Sequence, residues 1–271
     1  MADASGKLRL LAVLAHPDDE SLGNGGALAR YAAEGVETYL VTATRGERGR
    51  YFDPDRERPS DEEVGRVREA ELRAAARELG VREVVFLDYV DGSLDRADPR
   101  EAIARITAHI RRIRPQVVVT FDSFGAYGHP DHVAICQYAT AACALAPDAS
   151  HEDGHAPHHV SKLYYKSETP DVWEAYQKAF KRLGSTVDGV ERSAIAWPEW
   201  STSALLDTRA HASTVWRAIQ RHRTQIAIYA GLSDLSDADH ERLWGRQHYY
   251  RVYSTVNGGR ARETDLFEGL R

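Results

Sequence analysis

Leu8-Arg9-Leu10-Leu11-Ala12-Val13-Leu14 runs straight into Ala15-His16-Pro17-Asp18-Asp19-Glu20. The first seven residues are short and almost wholly apolar, as a strand buried on both faces requires. The next six hold an imidazole and three carboxylates. The pairing recurs downstream: Gln116–Phe121 reads as a strand and is followed by Tyr127-Gly128-His129-Pro130-Asp131-His132. Apolar strands that end in polar clusters are how open α/β sheets present ligand sites, at the carboxyl edge of the strands.

Between and beyond these stretches, strand-like and helix-like patterns alternate. Glu37–Thr44 is β-branched, Val84–Leu87 is a short strand, and Lys162–Tyr165 is another. Helices are predicted over Gly25–Glu34, Asp61–Leu79, Pro99–Ile113 and Asp131–Leu145. Ser60 suits the N-cap of the second and Asp98 that of the third, where Pro99 takes the first position. Five such alternations predict a doubly wound, mostly parallel, Rossmann-like α/β sheet of order 3-2-1-4-5. Strands 1 and 4 are then neighbours with helices on opposite faces, so the two clusters meet in one crevice. The last third is less regular, with helices expected at Asp171–Leu183 and Thr208–Tyr229 and a strand at Tyr249–Thr255. The expectation is a single domain over 1–271: a core over 1–170, and an α+β extension over 171–271 that roofs the site.

The chain has 271 residues and a net charge of −6. That charge offers no global attraction to nucleic acid or anionic membrane. No apolar run approaches the roughly 18 residues of a membrane span, and no signal peptide is visible. The expected location is the cytoplasm and the expected partner a small molecule; oligomeric state is left open. Cys136 and Cys143, on one predicted helix, would lie about 10 Å apart, beyond disulfide reach.

His16 and Asp19 are three residues apart, as are His129 and His132. Two His and one carboxylate suffice for a catalytic zinc with water in the fourth position. The first loop can supply His16 and one carboxylate, and the second one histidine. The remaining groups are the spares a metal hydrolase needs: a base for the water and donors for the oxyanion and leaving amine. The plain alternative is that Asp18, Asp19, Glu20 and Asp131 only cap helices. Joint placement at two adjacent strand ends favours chemistry. A dinucleotide site, and with it a nucleotide-dependent oxidoreductase, is disfavoured. Gly23-Asn24-Gly25-Gly26 fails the glycine fingerprint at Leu28, and Asp18, Asp19 and Glu20 would repel a pyrophosphate.

At these residues the chain resembles the PIG-L/LmbE-like family of zinc-dependent N-deacetylases, which act on N-acetylglucosaminyl compounds. Ala15–Glu20 and His129–His132 carry the two specific motifs. Thr42–Gly49, Arg68, Glu71-Leu72, Asp91-Gly92-Ser93 and Glu263–Phe267 extend the likeness along nearly the whole chain. Glu20–Gly25 and Val160–Tyr165 are similar to the branch serving mycothiol-type thiols. That branch holds a deacetylase of N-acetylglucosaminyl-inositol and an amidase of thiol S-conjugates. The resemblance implies His16, Asp19 and His132 as ligands of Zn2+, with Fe2+ or Co2+ as alternatives. It implies Asp18 as general base, His129 as imidazolium donor oriented by Asp131, and Tyr127 as polariser of the carbonyl. Arg68 and Asp91 fall at substrate-side positions.

The remaining features read as structural. His151, His155, His158 and His159 crowd what looks like an exposed linker. His222 is open between a supporting role and a surface helix position. Of Trp197, Trp200, Trp216 and Trp244, most should pack the roof, with one left to line a sugar-binding face.

Overall fold

The computed structural model describes residues 6–53, 55–180 and 184–271. Its strands are β1 (Arg9–Leu14), β2 (Glu37–Thr44), β3 (Glu83–Tyr89), β4 (Val117–Thr120), β5 (Lys162–Lys166), β6 (Gly184–Val187), β7 (Val190–Ser193), β8 (Ala204–Asp207) and β9 (Arg246–Ser254). Seven of them form one sheet in the order β3-β2-β1-β4-β5-β9-β8, and β6 and β7 make a separate hairpin. Strands β1 to β5 pair in parallel, whereas β9 runs antiparallel to both β5 and β8. The predicted order of the first five strands is therefore found, and the C-terminal segment lengthens the same sheet by two strands.

β1 lies at the centre because it is apolar on both faces. Leu10, Ala12 and Leu14 enter one core, and Leu11, Val13 and Ala15 the other. This period of two divides the interior by face. On the first face sit helices Gly25–Ala33 and Asp61–Glu78, joined by Pro170–Phe180 and Ala212–Ile219. The second face is covered by Pro99–Ile113 and Pro130–Leu145. Ser60 Oγ accepts from Glu63 N at 3.3 Å, and Asp98 Oδ1 from Arg100 N at 2.8 Å, so both expected caps form. Cys136 and Cys143 are free and buried. No described helix is long and apolar enough to cross a membrane.

One expectation changes. The helix expected over Thr208–Tyr229 is broken into Ala212–Ile219 and Ile226–Ser233, with single turns at Arg209–His211 and Arg223–Gln225. At the break, His222 and Thr224 bond the buried carboxylates of Glu20 and Glu71. The helix beginning at Pro170 is described as far as Phe180, and the expected end at Leu183 lies outside the described residues. The histidine-rich segment, with His155 and His159 exposed as a linker should be, is also pinned to the body of the protein. Arg111, 2% exposed, donates to the carbonyls of Ala146, Asp148 and His151 at 2.9, 2.6 and 2.6 Å. Among the described residues, that segment supplies no metal-binding group.

Candidate functional site

β1 and β4 are adjacent, and the helices that follow them lie on opposite faces of the sheet. Their C-terminal loops open on a cavity of about 620 Å3 lined by His16, Asp18, Asp19, Tyr127, His129 and His132. The first loop turns tightly. Asp18 adopts φ 107°, a conformation costly for any side chain but glycine. Three contacts over-determine it. Glu20 Oε2 accepts from Asp18 N at 2.9 Å, and the Asp18 carbonyl accepts from Ser21 N and Leu22 N, each at 3.0 Å.

His16 Nε2 lies 3.0 Å from Asp131 Oδ2 and 3.1 Å from Asp91 Oδ1. Two carboxylates on one ring nitrogen hold the proton there, the arrangement that orients metal-binding histidines. His16 Nδ1 then presents a lone pair, only 3.1 Å from His132 Nε2. Asp19 closes the triangle, with Oδ2 3.7 Å from His16 Nδ1 and Oδ1 3.6 Å from His132 Nε2. Donors about 2.0–2.2 Å from a tetrahedral zinc stand about 3.3–3.5 Å apart. The ring nitrogen of His129 comes within 4.8 Å of those of His16 and His132.

The electrostatics point the same way. Burial opposes charge on His16, but Asp131, Asp91 and Asp19 outweigh it and raise its pKa well above the usual value. Burial, with His16 and His129 adding repulsion, drives His132 well below. The pocket thus favours one positive centre between two facing nitrogens, met by a proton or by a divalent cation. Burial lifts Asp19 to about 7 against the pull of His16. This donor set can hold a metal ion.

Phe121 stacks on His132, with centroids 3.9 Å apart and planes 12° apart, and fixes that ring from behind. Tyr127 meets the same ring edge-on at 5.3 Å. Its hydroxyl has no protein partner among the described residues, and burial raises its pKa.

The expected link between Asp131 and His129 takes another form. The Asp131 carboxylate is committed to His16 and to the backbone N–H groups of Gly92 and Leu94, at 2.7 and 3.0 Å. It is the Asp131 backbone N–H that meets His129, donating to Nδ1 at 3.2 Å. His129 Nδ1 is therefore an acceptor, and the neutral ring carries its proton on Nε2. Burial and the charge of His16 bring His129 down to about 4, against the opposing pull of Asp131 and Asp91. The expected imidazolium is disfavoured.

Arg68 and Asp91 line the cavity, but their bonds go to the protein. Arg68 donates to Gly46 O and Pro17 O, each at 2.7 Å, and to Asp18 Oδ2 at 3.0 Å. Asp91 Oδ2 accepts from Arg48 N at 3.1 Å, and the charges of His16 and Arg68 overcome burial to hold its pKa near about 2. Both brace the loops, because a buried charge must be paired where it stands.

The C-terminal segment supplies what the sequence reading left open or missed. His222 and Glu20 are both 0% exposed and pair at 2.8 Å. Burial disfavours each charge, yet the pairing lowers Glu20 and raises His222. Glu71 accepts from Thr224 N and Oγ1 at 2.8 and 2.7 Å. Tyr229 OH donates to Asp18 Oδ2 at 2.6 Å. Asp122, two residues after β4, accepts from Ala126 N at 2.9 Å and from Trp197 Nε1 at 2.6 Å, and so holds the loop carrying Tyr127. A carboxylate so soon after a strand was a readable signal for Asp122. Nothing local marked Tyr229. Trp244 is buried with Trp216 stacked on it at 5.6 Å, and Trp200 is 85% exposed. The cavity-lining tryptophan is Trp173, none of the four expected.

Comparison with known proteins adds the family. Residues 11–143 match the PIG-L family, described as GlcNAc-PI de-N-acetylase. A 1D-myo-inositol 2-acetamido-2-deoxy-alpha-D-glucopyranoside deacetylase of Geodermatophilus obscurus is 35% identical, covering 97% of this chain and 98% of its own. The protein of the same name from Streptomyces griseus is 37% identical, covering 97% and 89%. The solved N,N'-diacetylchitobiose deacetylase of Pyrococcus horikoshii shares the fold, with a TM-score of 0.69 at 20% identity over 90% of this chain and 83% of that one. With relatives above 30% identity along almost its full length, the chain belongs to the PIG-L family of hydrolytic N-deacetylases.

Proposed function

We propose that this chain hydrolyses the acetamide of an N-acetylglucosaminyl-inositol substrate, with Zn2+ held by His16, Asp19 and His132. The observation that carries the reading is the pair of facing nitrogens 3.1 Å apart, closed by Asp19 and flanked by the carboxylate of Asp18. The substrate class follows the names of the full-length relatives. Fe2+ and Co2+ are accepted by the same donor types.

Zinc bound there would acidify a water and polarise the acetyl carbonyl. Asp18 takes a proton from the attacking water and later hands it to the leaving nitrogen. The C–O bond forms, the C–N bond breaks, and acetate and a free amine leave. Neutral His129, through Nε2–H, and Tyr127, through its hydroxyl, donate to the oxygen of the tetrahedral centre. A donor of this kind lowers the barrier by roughly 3–4 kcal/mol. Asp131 and Asp91 act on His16, holding its proton on Nε2. The cavity, about 620 Å3, has the size of ordinary small-molecule sites. Its wall of Trp173, Tyr176 and Phe180 offers apolar faces to a sugar ring, and the Lys166–Glu168 pair, 2.8 Å apart, offers polar atoms to hydroxyls.

The test is acetate release from N-acetylglucosaminyl-inositol by the zinc-loaded protein. We expect release that stops on chelation and returns with zinc. Absence of release, with cleavage of a thiol S-conjugate amide instead, would move the chain to the amidase alternative. For the metal set, His132→Ala should weaken zinc binding by on the order of 100-fold or more, read by competition with a chelating dye. Unchanged affinity would remove His132 from the ligand set.

A further inference from the structure

The two carboxylate oxygens of Asp18 stand in different surroundings. Oδ2 accepts from Arg68 Nη2 at 3.0 Å and from Tyr229 OH at 2.6 Å. Oδ1 has no protein partner among the described residues, and Asp18 lines the cavity. The terminal torsion of an aspartate is broad and has little preference of its own. Only outside donors can fix which oxygen faces the cavity. Arg68 alone leaves the carboxylate free to swing about one contact. A second donor from another direction stops that swing.

Tyr229 comes from helix Ile226–Ser233, on the far side of the chain from the Asp18 loop. It is 5% exposed and packs edge-on against Phe180, with centroids 6.3 Å apart. Burial and the Asp18 charge raise its pKa well above the ordinary phenol value, so the hydroxyl keeps its proton and donates. Its one polar atom is spent on Asp18.

We propose that Tyr229 is a positioning residue for the deacetylation: with Arg68 it saturates Oδ2 and leaves Oδ1 as the oxygen that takes the proton from water. This rests on Asp18 being the base of the proposed reaction. Tyr229 also lines the cavity, but its hydroxyl is bonded to Asp18 Oδ2 and to no donor atom of the proposed metal triad, so its effect belongs to kcat.

The experiment is a mutant cycle on acetate release. Tyr229→Phe should lower kcat roughly 10-fold, the scale of a small misplacement. KM should stay within about two-fold, and bound zinc should be unchanged. In an Asp18→Ala background the same change should alter the residual rate by less than about two-fold, because the carboxylate it positions is gone. An effect of Tyr229 exerted elsewhere than through Asp18 would cost the same factor in both backgrounds, and that result overturns the proposal; a bond that merely tied the helix to the loop would raise KM or lower bound zinc along with kcat, and that result overturns it too. So does a Tyr229→Phe enzyme with wild-type kcat. If the Phe variant folds poorly, Tyr229→Gln, which keeps a donor, should retain more kcat than Tyr229→Met, which has none; equal loss in both again overturns it. A wild type that releases no acetate overturns the deacetylase reading and this inference together. Asp18-dependent release that ignores Tyr229 overturns the inference alone.

Discussion

Asp18→Ala should lower kcat for acetate release by about 10²–10⁴-fold while the protein keeps its zinc. That factor corresponds to about 2.7–5.4 kcal/mol of barrier. The split between rate and metal follows from the geometry. The Asp18 carboxylate is bonded to Arg68 and Tyr229, whereas the facing nitrogens and Asp19 form the proposed metal triangle without it. Alanine replaces one side chain with another at a backbone of φ 107°, so the local strain is carried over rather than released. Rates and metal content should be measured on the same preparation. A variant within two-fold of the wild-type rate would sink the base assignment. A variant stripped of zinc would place Asp18 among the ligands instead.

The second large effect is on stability. His222→Ala leaves the carboxylate of Glu20 buried without its partner. Removing one member of a buried pair costs about 3–5 kcal/mol, because the other charge remains desolvated. For a chain of this size, that lowers the melting temperature by on the order of 10 °C. The pair also sets a pH window. Glu20 is lowered from 4.5, so its contribution is complete above that value and is lost as pH falls through its folded pKa. His222 is raised from 6.5, so its contribution is complete below that value and is lost as pH rises through its folded pKa. The gap in melting temperature between wild type and variant should therefore be widest between pH 4.5 and 6.5 and narrow on the alkaline side. A gap that grows steadily to high pH would contradict the charged pair. Activity should fall as well, because Glu20 Oε2 also holds the backbone N–H of Asp18.

Much of the fold was legible because it is written in short-range pattern. The apolar run over β1, the strand–helix alternation and the caps at Ser60 and Asp98 are local signals, each satisfied within a few residues of itself. The overlong helix Thr208–Tyr229 was misread for the same reason. Helical periodicity persists through Arg221-His222-Arg223, and the pull that breaks it comes from Glu20 and Glu71, far off in the chain.

By itself, then, the sequence determined the order of the first five strands, the crevice between β1 and β4, and the two loop clusters at its rim. Side-chain period and loop position decide those, and both are local. Only the tertiary structure decided how that set is wired. It turned His16 Nδ1 toward His132, gave the Asp131 carboxylate to His16 rather than to His129, and drew Arg68 onto Asp18. It also brought His222 and Tyr229 from 202 and 211 residues away to hold Glu20 and Asp18. The physical reason is desolvation. A polar group taken out of water must be paired where it lies, and packing across the crevice determines which partner is within reach.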